Sequence, residues 1–317
     1  MTRFVSVVTP CRNEEENVRA LYEAVKEEFA KLPQYSYEHI FIDNASEDRT
    51  VAILREITAE DKNVKVIVNL RNFGSNTGLH AFRQISGEAL IPIACDFQDP
   101  VEYIPRFLQK WEEGWPIVAS VKNQTTENFP MAFVRKTYYY LIDRISETKQ
   151  IRNFTGFGIY DRKVIDCLRS FHDARPVFRS MIAELGFPMT TMEFVQPKRQ
   201  RGKSSWSLYE LFDFAMVGFV NYSLVPVRLA TFTGFGAAFC SLCVALFYLV
   251  YKLRNWDTFN AGMAPLVLGL FFFSAVQLIF LGFLGEYVGA ILTQVKNRPL
   301  VIEKERINFP ETESKST

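Results

Sequence analysis

Glycine loops that cradle phosphate are missing from this sequence: no G-x-x-x-x-G-K-[ST] occurs, and no G-x-G-x-x-G follows the first apolar run. Those absences exclude a P-loop and a dinucleotide fingerprint. There are three histidines, His39, His80 and His172, and Cys11, Cys95 and Cys167 lack metal-ligand spacing, so zinc has no site. Cys240 and Cys243 are spaced as C-x-x-C but sit inside a long apolar run, where packing explains them better than chemistry. Neither sign of charge dominates, since 36 Lys and Arg against 35 Asp and Glu leave a net charge of +1. That balance gives no bulk attraction to nucleic acid. No secretory signal is seen either: Met1-Thr-Arg-Phe-Val leads straight into a strand, so roughly the first 200 residues are expected to stay cytoplasmic.

What is abundant is apolar, 48% of 317 residues with 29 Phe, and it is concentrated. Leu229 to Tyr251 and Pro265 to Gly285 carry almost no charge over about 20 residues each, the length that crosses a bilayer core as a helix. Buried helices of a soluble core would be the other explanation, but they seldom run so long without charge. Arg228, Lys296 and Arg298 flank the runs and favour a cytoplasmic location for both ends, mildly opposed by Lys252 and Arg254 between them. Glu286 is near an interface and is weak support for an ion pathway. Before the first run, Leu208, Leu211, Phe212, Ala215, Met216, Phe219 and Val220 make an apolar stripe at helical spacing. It predicts a helix lying in the membrane interface or docked on its own soluble domain. Met131 to Ile145, with Arg135, Lys136 and Arg144, is a second such segment. After the runs, Pro299 to Pro310 reads as a strand that could add to a sheet edge in the same or a neighbouring subunit, the latter giving a homo-oligomer. Residues 311–317 are expected to be disordered.

The part before residue 206 alternates strand and helix. Phe4 to Thr9, His39 to Asp43, Lys65 to Asn69 and Ala89 to Cys95 are the expected strands. Between them, Val18, Leu21, Tyr22, Val25 and Phe29 share one helical face, Ser46 offers an N-cap to a helix bearing Val51, Leu54 and Ile57, and Ala81 to Gly87 ends a third helix. This rhythm predicts an α/β, doubly wound, mostly parallel sheet. Polar residues appear where strands finish: Asn13 and Glu14, then Asp43 and Asn44, then Asp96. Ligands of open α/β sheets bind beyond the carboxyl ends of the strands, so Asp96, where the apolar run from Ala89 stops, is the leading candidate. Asp99 could be a second ligand or simply cap the helix that starts at Pro100. Carboxylates without a glycine cradle suggest a hard divalent cation that bridges a ligand's phosphates.

Val5-Ser-Val-Val-Thr-Pro-Cys-Arg-Asn-Glu-Glu-Glu-Asn17, Ile42-Asp-Asn-Ala-Ser-Glu-Asp-Arg-Thr50, Leu70-Arg-Asn-Phe-Gly74 and Cys95-Asp-Phe-Gln-Asp-Pro100 together resemble family 2 glycosyltransferases of the GT-A fold. With two C-terminal spans, the chain is similar to the polyisoprenyl-phosphate glycosyltransferases, the group of dolichol-phosphate mannose synthase and the bactoprenol glucosyltransferases. The resemblance implies a nucleoside-diphosphate sugar donor, with uridine the commoner base, a divalent metal, Mg2+ or Mn2+, and a polyprenyl phosphate acceptor. Carried over by position, Pro10, Asn13, Glu14 and Asp43 match the nucleoside-binding loop ends, Asp96 and Gln98 the metal and diphosphate motif, and Arg199 and Arg201 the basic loop. Three positions depart from the pattern. Ala94 stands where the first aspartate of Asp-x-Asp is usual, leaving the metal to Asp96 with Gln98 or Asp99. Asp43-Asn44-Ala45-Ser46 replaces Asp-Asp-Gly-Ser. Asn153-Phe-Thr-Gly-Phe-Gly-Ile-Tyr160 lacks an aspartate that many relatives carry in an Asp-Phe-Arg run, and Asp161 is better read as a helix cap.

Chemistry tolerates that last loss. A phosphate monoester has a second pKa near 6 and arrives at neutral pH as an anionic nucleophile, so no general base is required. Orientation, a cation for the departing diphosphate and positive charge for the acceptor remain to be supplied. Lys198-Arg-Gln-Arg-Gly-Lys-Ser-Ser205 offers that charge through Arg199, Arg201 and Lys203, with Arg135 as a further acceptor-phosphate candidate. The same patch could instead touch anionic lipid headgroups. The expected organisation is a cytoplasmic GT-A domain over 1–206, an amphipathic helix over 207–226, two transmembrane helices over 227–295 and a strand with a tail over 296–317. The expected setting is a multi-pass protein of the inner (cytoplasmic) membrane. The expected activity is inverting transfer of one sugar. A non-catalytic, membrane-anchored binder of nucleotide sugar or lipid phosphate is the other class, raised by Ala94 and the missing aspartate.

Overall fold

The computed structural model describes residues 2–122, 151–174, 176–197, 225–254, 263–296 and 298–310. The expectations for 131–145, for the basic loop 198–205, for the stripe at 208–220 and for the tail 311–317 therefore lie outside the described residues. The described residues fall into two compact units, a sheet domain that includes 298–310 and a helical unit over 225–296.

In the sheet domain, β1 (Arg3–Cys11), α1 (Val18–Ala30), β2 (Tyr35–Asp43), α2 (Thr50–Glu60), β3 (Val64–Asn69), α3 (Asn76–Phe82) and β4 (Ala89–Pro92) follow the expected alternation. A 3₁₀ turn (Val101–Tyr103), α4 (Ile104–Glu112), β5 (Ile117–Lys122), β6 (Phe154–Asp161), α5 (Arg162–Arg169), α6 (Phe178–Glu184) and β7 (Met189–Phe194) come next, and β8 (Glu303–Ile307) closes the sheet. Strand order is β7-β5-β6-β4-β1-β2-β3-β8. The sheet is mixed. β1 pairs in parallel with β2 and β4, β2 with β3, and β5 with β7, while β6 runs against β4 and β5, and β8 against β3.

The helix faces obey their spacing: Val18, Leu21, Tyr22, Val25 and Phe29 are all buried. Central strands are buried on both sides, Val5 to Thr9 and Ile40 to Asp43 without a gap, as strands covered by helices on two faces must be. Local details differ from the sequence reading. α2 starts at Thr50, so Ser46 does not cap it. α3 spans Asn76–Phe82 and ends before Gly87. Gly87 serves elsewhere, because a Cβ there would lie 2.7 Å from the Ser6 backbone nitrogen. The C-terminal strand pairs with β3 of its own chain, which answers the choice between its own and a neighbouring sheet.

In the helical unit, α7 (Val225–Arg254) and α8 (Met263–Val295) cover the two apolar runs. Among the described residues one stretch, Gly269–Val295, is long and apolar enough to cross a membrane. Its large side chains, including Leu270, Phe271, Leu278 and Leu281, are exposed, as are Phe232, Phe235 and Phe247 on α7. Contiguous exposed apolar surface of this extent marks an interaction with another apolar medium.

Candidate active site

Parallel pairing makes β1, β2, β3 and β4 end on one edge of the sheet, and the loops that follow carry the polar residues. The loops after β1 and β2 are stitched together. Asn13, in the left-handed region at φ 53°, donates its N–H to Ser46 Oγ at 2.9 Å and accepts the Glu47 N–H on Oδ1 at 2.8 Å. Glu14 donates its N–H to Thr50 Oγ1 at 2.9 Å, and its carboxylate takes Asn17 Nδ2 at 2.6 Å. Both expected binding residues thus shape the loop as well as line it. Ser46, freed from capping, is the acceptor that joins the two strands' ends. Pro10 lies on β1 opposite Ile42, half-buried.

Asp43 ends β2 fully buried. Its Oδ2 accepts the Ser46 N–H at 3.0 Å, while Oδ1 is buried with no partner among the described residues. Burial pushes its pKa up, with the Ser46 hydrogen bonds pulling the other way. A carboxylate oxygen left unpaired at a strand end is a costly arrangement that a ligand's N–H or hydroxyl would relieve. Ala45 follows at φ 58°, the position where the Asp-Asp-Gly-Ser pattern has glycine.

Asn44, which the sequence marks only as a polar residue at a strand end, is the hub of this edge. Its Oδ1 accepts from Phe73 N–H and Thr77 Oγ1, both at 2.8 Å, and from Asn69 Nδ2 at 3.3 Å. Its Nδ2 donates to Asn72 Oδ1 at 2.7 Å. The loop after β3, Leu70 to Gly74, is thereby fastened beside Asp43. Three asparagines and a threonine at the ends of adjacent elements were the available signal.

β4 is shorter than its apolar run, although the Ile93 N–H still reaches Val8 O at 2.9 Å. A tight turn follows. Asp96 is half-buried and its Oδ1 accepts the Gln98 N–H at 3.2 Å. Phe97 between them sits at φ 59°, a strained conformation for an aromatic residue and one that concentrates at functional sites. Gln98 Oε1 lies 3.5 Å from Gln196 Nε2, which comes just after β7. Asp99 turns inward instead of capping: its Oδ2 takes the Ala94 N–H at 2.9 Å, and the 3₁₀ turn after it has no side-chain cap. Asp161, by contrast, caps α5 by accepting the Lys163 N–H, as its position predicts.

Burial pushes the Asp99 carboxyl up to about 7, with Asp96 adding to the rise and the Ala94 bond and Lys122 opposing it. Buried and already bonded to the Ala94 N–H, Asp99 is less accessible to a ligand than half-buried Asp96. An unfolded aspartate titrates near 3.9, so between about pH 4 and 7 the folded state binds more protons and stability falls as pH rises. Asp99→Asn keeps an oxygen for the Ala94 N–H and removes that titration. The variant is expected to lose the downward slope of melting temperature between pH 4 and 7, and to retain most of the protein's activity. Parallel melting curves for the two proteins over that range would refute this.

Cys11 and Cys95 lie buried beneath the same edge. Burial pushes both thiols well up, with Cys95, Asp43 and Glu14 adding to the rise at Cys11 and Glu14 and Asp96 adding to it at Cys95, which places these carboxylates in one electrostatic neighbourhood. His39 is held neutral by burial, its pKa lowered to about 3, and shares a 2.9 Å hydrogen bond with Thr9. Among the described residues no group of three or more His, Cys, Asp or Glu side chains could by itself hold a metal ion. Asp96 and Gln98 offer hard oxygen donors, which suit a divalent cation that completes its shell with phosphate and water. Arg135, Arg199, Arg201 and Lys203 lie outside the described residues. The chain reaches Pro197, the last described residue before Arg199, just beyond β7, whose Phe194 is in register with Lys122 at the end of β5.

The sequence model of Glycosyl transferase family 2 matches residues 6–169. A glycosyltransferase of Synechocystis is 33% identical over 304 residues, 95% of each chain. The SfII prophage-derived bactoprenol glucosyl transferase of Shigella flexneri is 31% identical over 302 residues, 95% of this chain and 97% of the relative. Among solved structures, a mannosyltransferase of Pyrobaculum calidifontis in complex with GDP-Man and Mn2+ is 17% identical with a TM-score of 0.44, covering 94% of this chain and 87% of the other.

Proposed function

The chain belongs to glycosyl transferase family 2, and from that premise we propose that it transfers a single sugar, with inversion, from a nucleoside-diphosphate donor to polyprenyl phosphate at the cytoplasmic face of a membrane. The observation that carries this reading is the convergence of Asn13, Glu14, Asp43, Asn44 and Asp96 on one edge of the sheet, with Asp43 Oδ1 buried and unpaired there among the described residues. Relatives named as bactoprenol glucosyl transferases, matched over nearly their whole length, support the lipid acceptor. In this reading α7 and α8 both cross the membrane, residues 1–206 are the catalytic domain, and 207–226 lie at the interface.

Asp43 and the Asn44-held loop take the nucleoside. Asp96 and Gln98 hold the diphosphate end together with a divalent cation, Mg2+ or Mn2+. Such a cation, when bound, neutralises charge building on the departing diphosphate. The acceptor phosphate attacks as an anion, so no residue need remove a proton. Arg199, Arg201 and Lys203, with Arg135, hold that phosphate.

Incubation of detergent-solubilised protein with polyprenyl phosphate and a panel of nucleotide sugars is the direct test. A glycolipid of inverted anomeric configuration from one donor is expected. Donor binding without any product would favour a non-catalytic binder. In neutral detergent, Arg199→Ala and Arg201→Ala should each lower the transfer rate about tenfold or more, since a charge-assisted contact contributes roughly 1.5 to 3 kcal/mol. Unchanged rates for both would mean that these arginines touch lipid headgroups, which neutral detergent lacks.

A further inference from the structure

The last strand of the sheet comes from the far end of the chain. β8 follows α8 after residues 296–302 and pairs with β3 from Val66↔Ile307 to Asn69↔Glu303, with an irregularity between Val68 and Asn69. The tie does not stop at the strand. Ile302 O accepts the Leu70 N–H at 3.0 Å, so the C-terminal segment grips the first residue of the 70–74 loop. It also reaches the helix on the loop's other side: the Glu303 carboxylate holds His80 Nε2 of α3 at 2.5 Å and the Arg306 guanidinium at 2.8 Å. Elsewhere the same segment is anchored firmly. Glu305 makes a two-pronged contact with Arg55 of α2, and Asn308 Nδ2 donates to Thr58 O and Val64 O, each at 2.9 Å. Val301 is buried.

The loop is therefore held from two sides. Asn44 ties Asn72, Phe73 and Thr77 to the end of β2, and residues 302 and 303 tie Leu70 and His80 to the C-terminus. We propose that this C-terminal segment is a positioning element of the donor site, in which Ile302 and Glu303 hold the 70–74 loop and α3 in the shape that takes the nucleoside diphosphate. The inference rests on the donor reading above. It makes the site incomplete until the chain beyond α8 has returned to the sheet. Glu303 touches no substrate and acts through His80 and the loop.

The test is binding of uridine and guanosine diphosphates, with manganese, to full-length protein in detergent, followed by donor and acceptor kinetics. Glu303→Ala is expected to raise the Kd for the bound nucleotide and the donor KM about tenfold, with the acceptor KM and kcat little changed. Glu303→Gln, which keeps an acceptor for His80, should restore most of the loss. Arg55→Ala breaks an exposed contact of the same strand away from the loop and should leave Kd within about twofold of wild type. Should Glu303→Ala fail to fold, His80→Ala removes the same tie from the α3 side and is expected to weaken nucleotide binding in the same way. Wild-type Kd in a folded Glu303→Ala or His80→Ala protein, or equal weakening by Arg55→Ala, would overturn the inference. Wild-type protein that binds neither nucleotide would overturn the donor reading itself, and this inference with it.

Discussion

Asp96→Ala is expected to lower sugar transfer roughly a thousandfold or more while leaving the sheet domain folded. The reason is that the turn after β4 offers the diphosphate few protein oxygens. Ala94 takes the place of a carboxylate, and Asp99 is buried, bound to the Ala94 N–H and pushed up to about 7. Asp96 is left as the one carboxylate of that turn suited to a cation shared with the donor. The fold loses little by its removal, because the turn stays pinned by the Ile93 to Val8 and Ala94 to Asp99 hydrogen bonds. Two measurements check it together, the transfer rate and the melting temperature in nucleoside diphosphate with and without manganese. Wild type should be stabilised by the nucleotide only when manganese is present, and Asp96→Ala not at all. Metal-independent stabilisation of wild type, or a variant that keeps a tenth of the rate, would remove Asp96 from the role.

Gly158→Ala carries the largest expected effect on stability. β6 lies between β4 and β5, and Gly158 sits at φ 154° opposite Ala119. A Cβ there would stand 2.1 Å from the Val118 carbonyl oxygen and 3.2 Å from its carbon. Those are backbone atoms of a paired strand, so no side-chain rotation relieves the overlap. β5 and β6 would have to separate. On the same strand Phe157 packs edge-on against Phe107, with centroids 4.8 Å apart, and against Phe194 at 5.6 Å. Separation would open that aromatic cluster too. A cost of about 3 kcal/mol or more follows, a large share of a typical total of roughly 5 to 15 kcal/mol. The variant should melt roughly 10 °C lower or fail to accumulate. Gly114→Ala is the control: φ is 97° and nothing lies within 4 Å, so backbone strain of about 1 to 2 kcal/mol is the whole effect. A Gly158→Ala protein that melts no lower than Gly114→Ala would contradict this packing of β5 against β6.

Local sequence specifies structure where burial and spacing act over a few residues. The buried face of α1, the first four strands, the Asp161 cap and the placing of Asn13, Asp43 and Asp96 at strand ends all depend on neighbours within one or two turns of chain. Neither Ser46 nor Asp99 caps a helix, for a related reason. Both have capping side chains at plausible positions, but each found a partner made available by the fold, the Asn13 N–H for Ser46 and the Ala94 N–H for Asp99. Propensity ranks local partners only, and tertiary contacts outbid it.

The alternation of strand and helix, the two apolar runs and the carboxylates and amides that follow the strands are all legible in the linear chain. These rest on periodicity and on side-chain chemistry, which a linear string records completely. The strand order, the antiparallel entry of β6 and β8, the hub at Asn44 and the grip of Ile302 on Leu70 and of Glu303 on His80, more than 220 residues earlier in the chain, arise only in the folded chain. Each joins groups far apart in sequence, and such a pairing is favoured by the mutual burial and hydrogen bonding of both members at once. No local pattern in either segment specifies its partner, because the free energy that selects it exists only when the two surfaces meet.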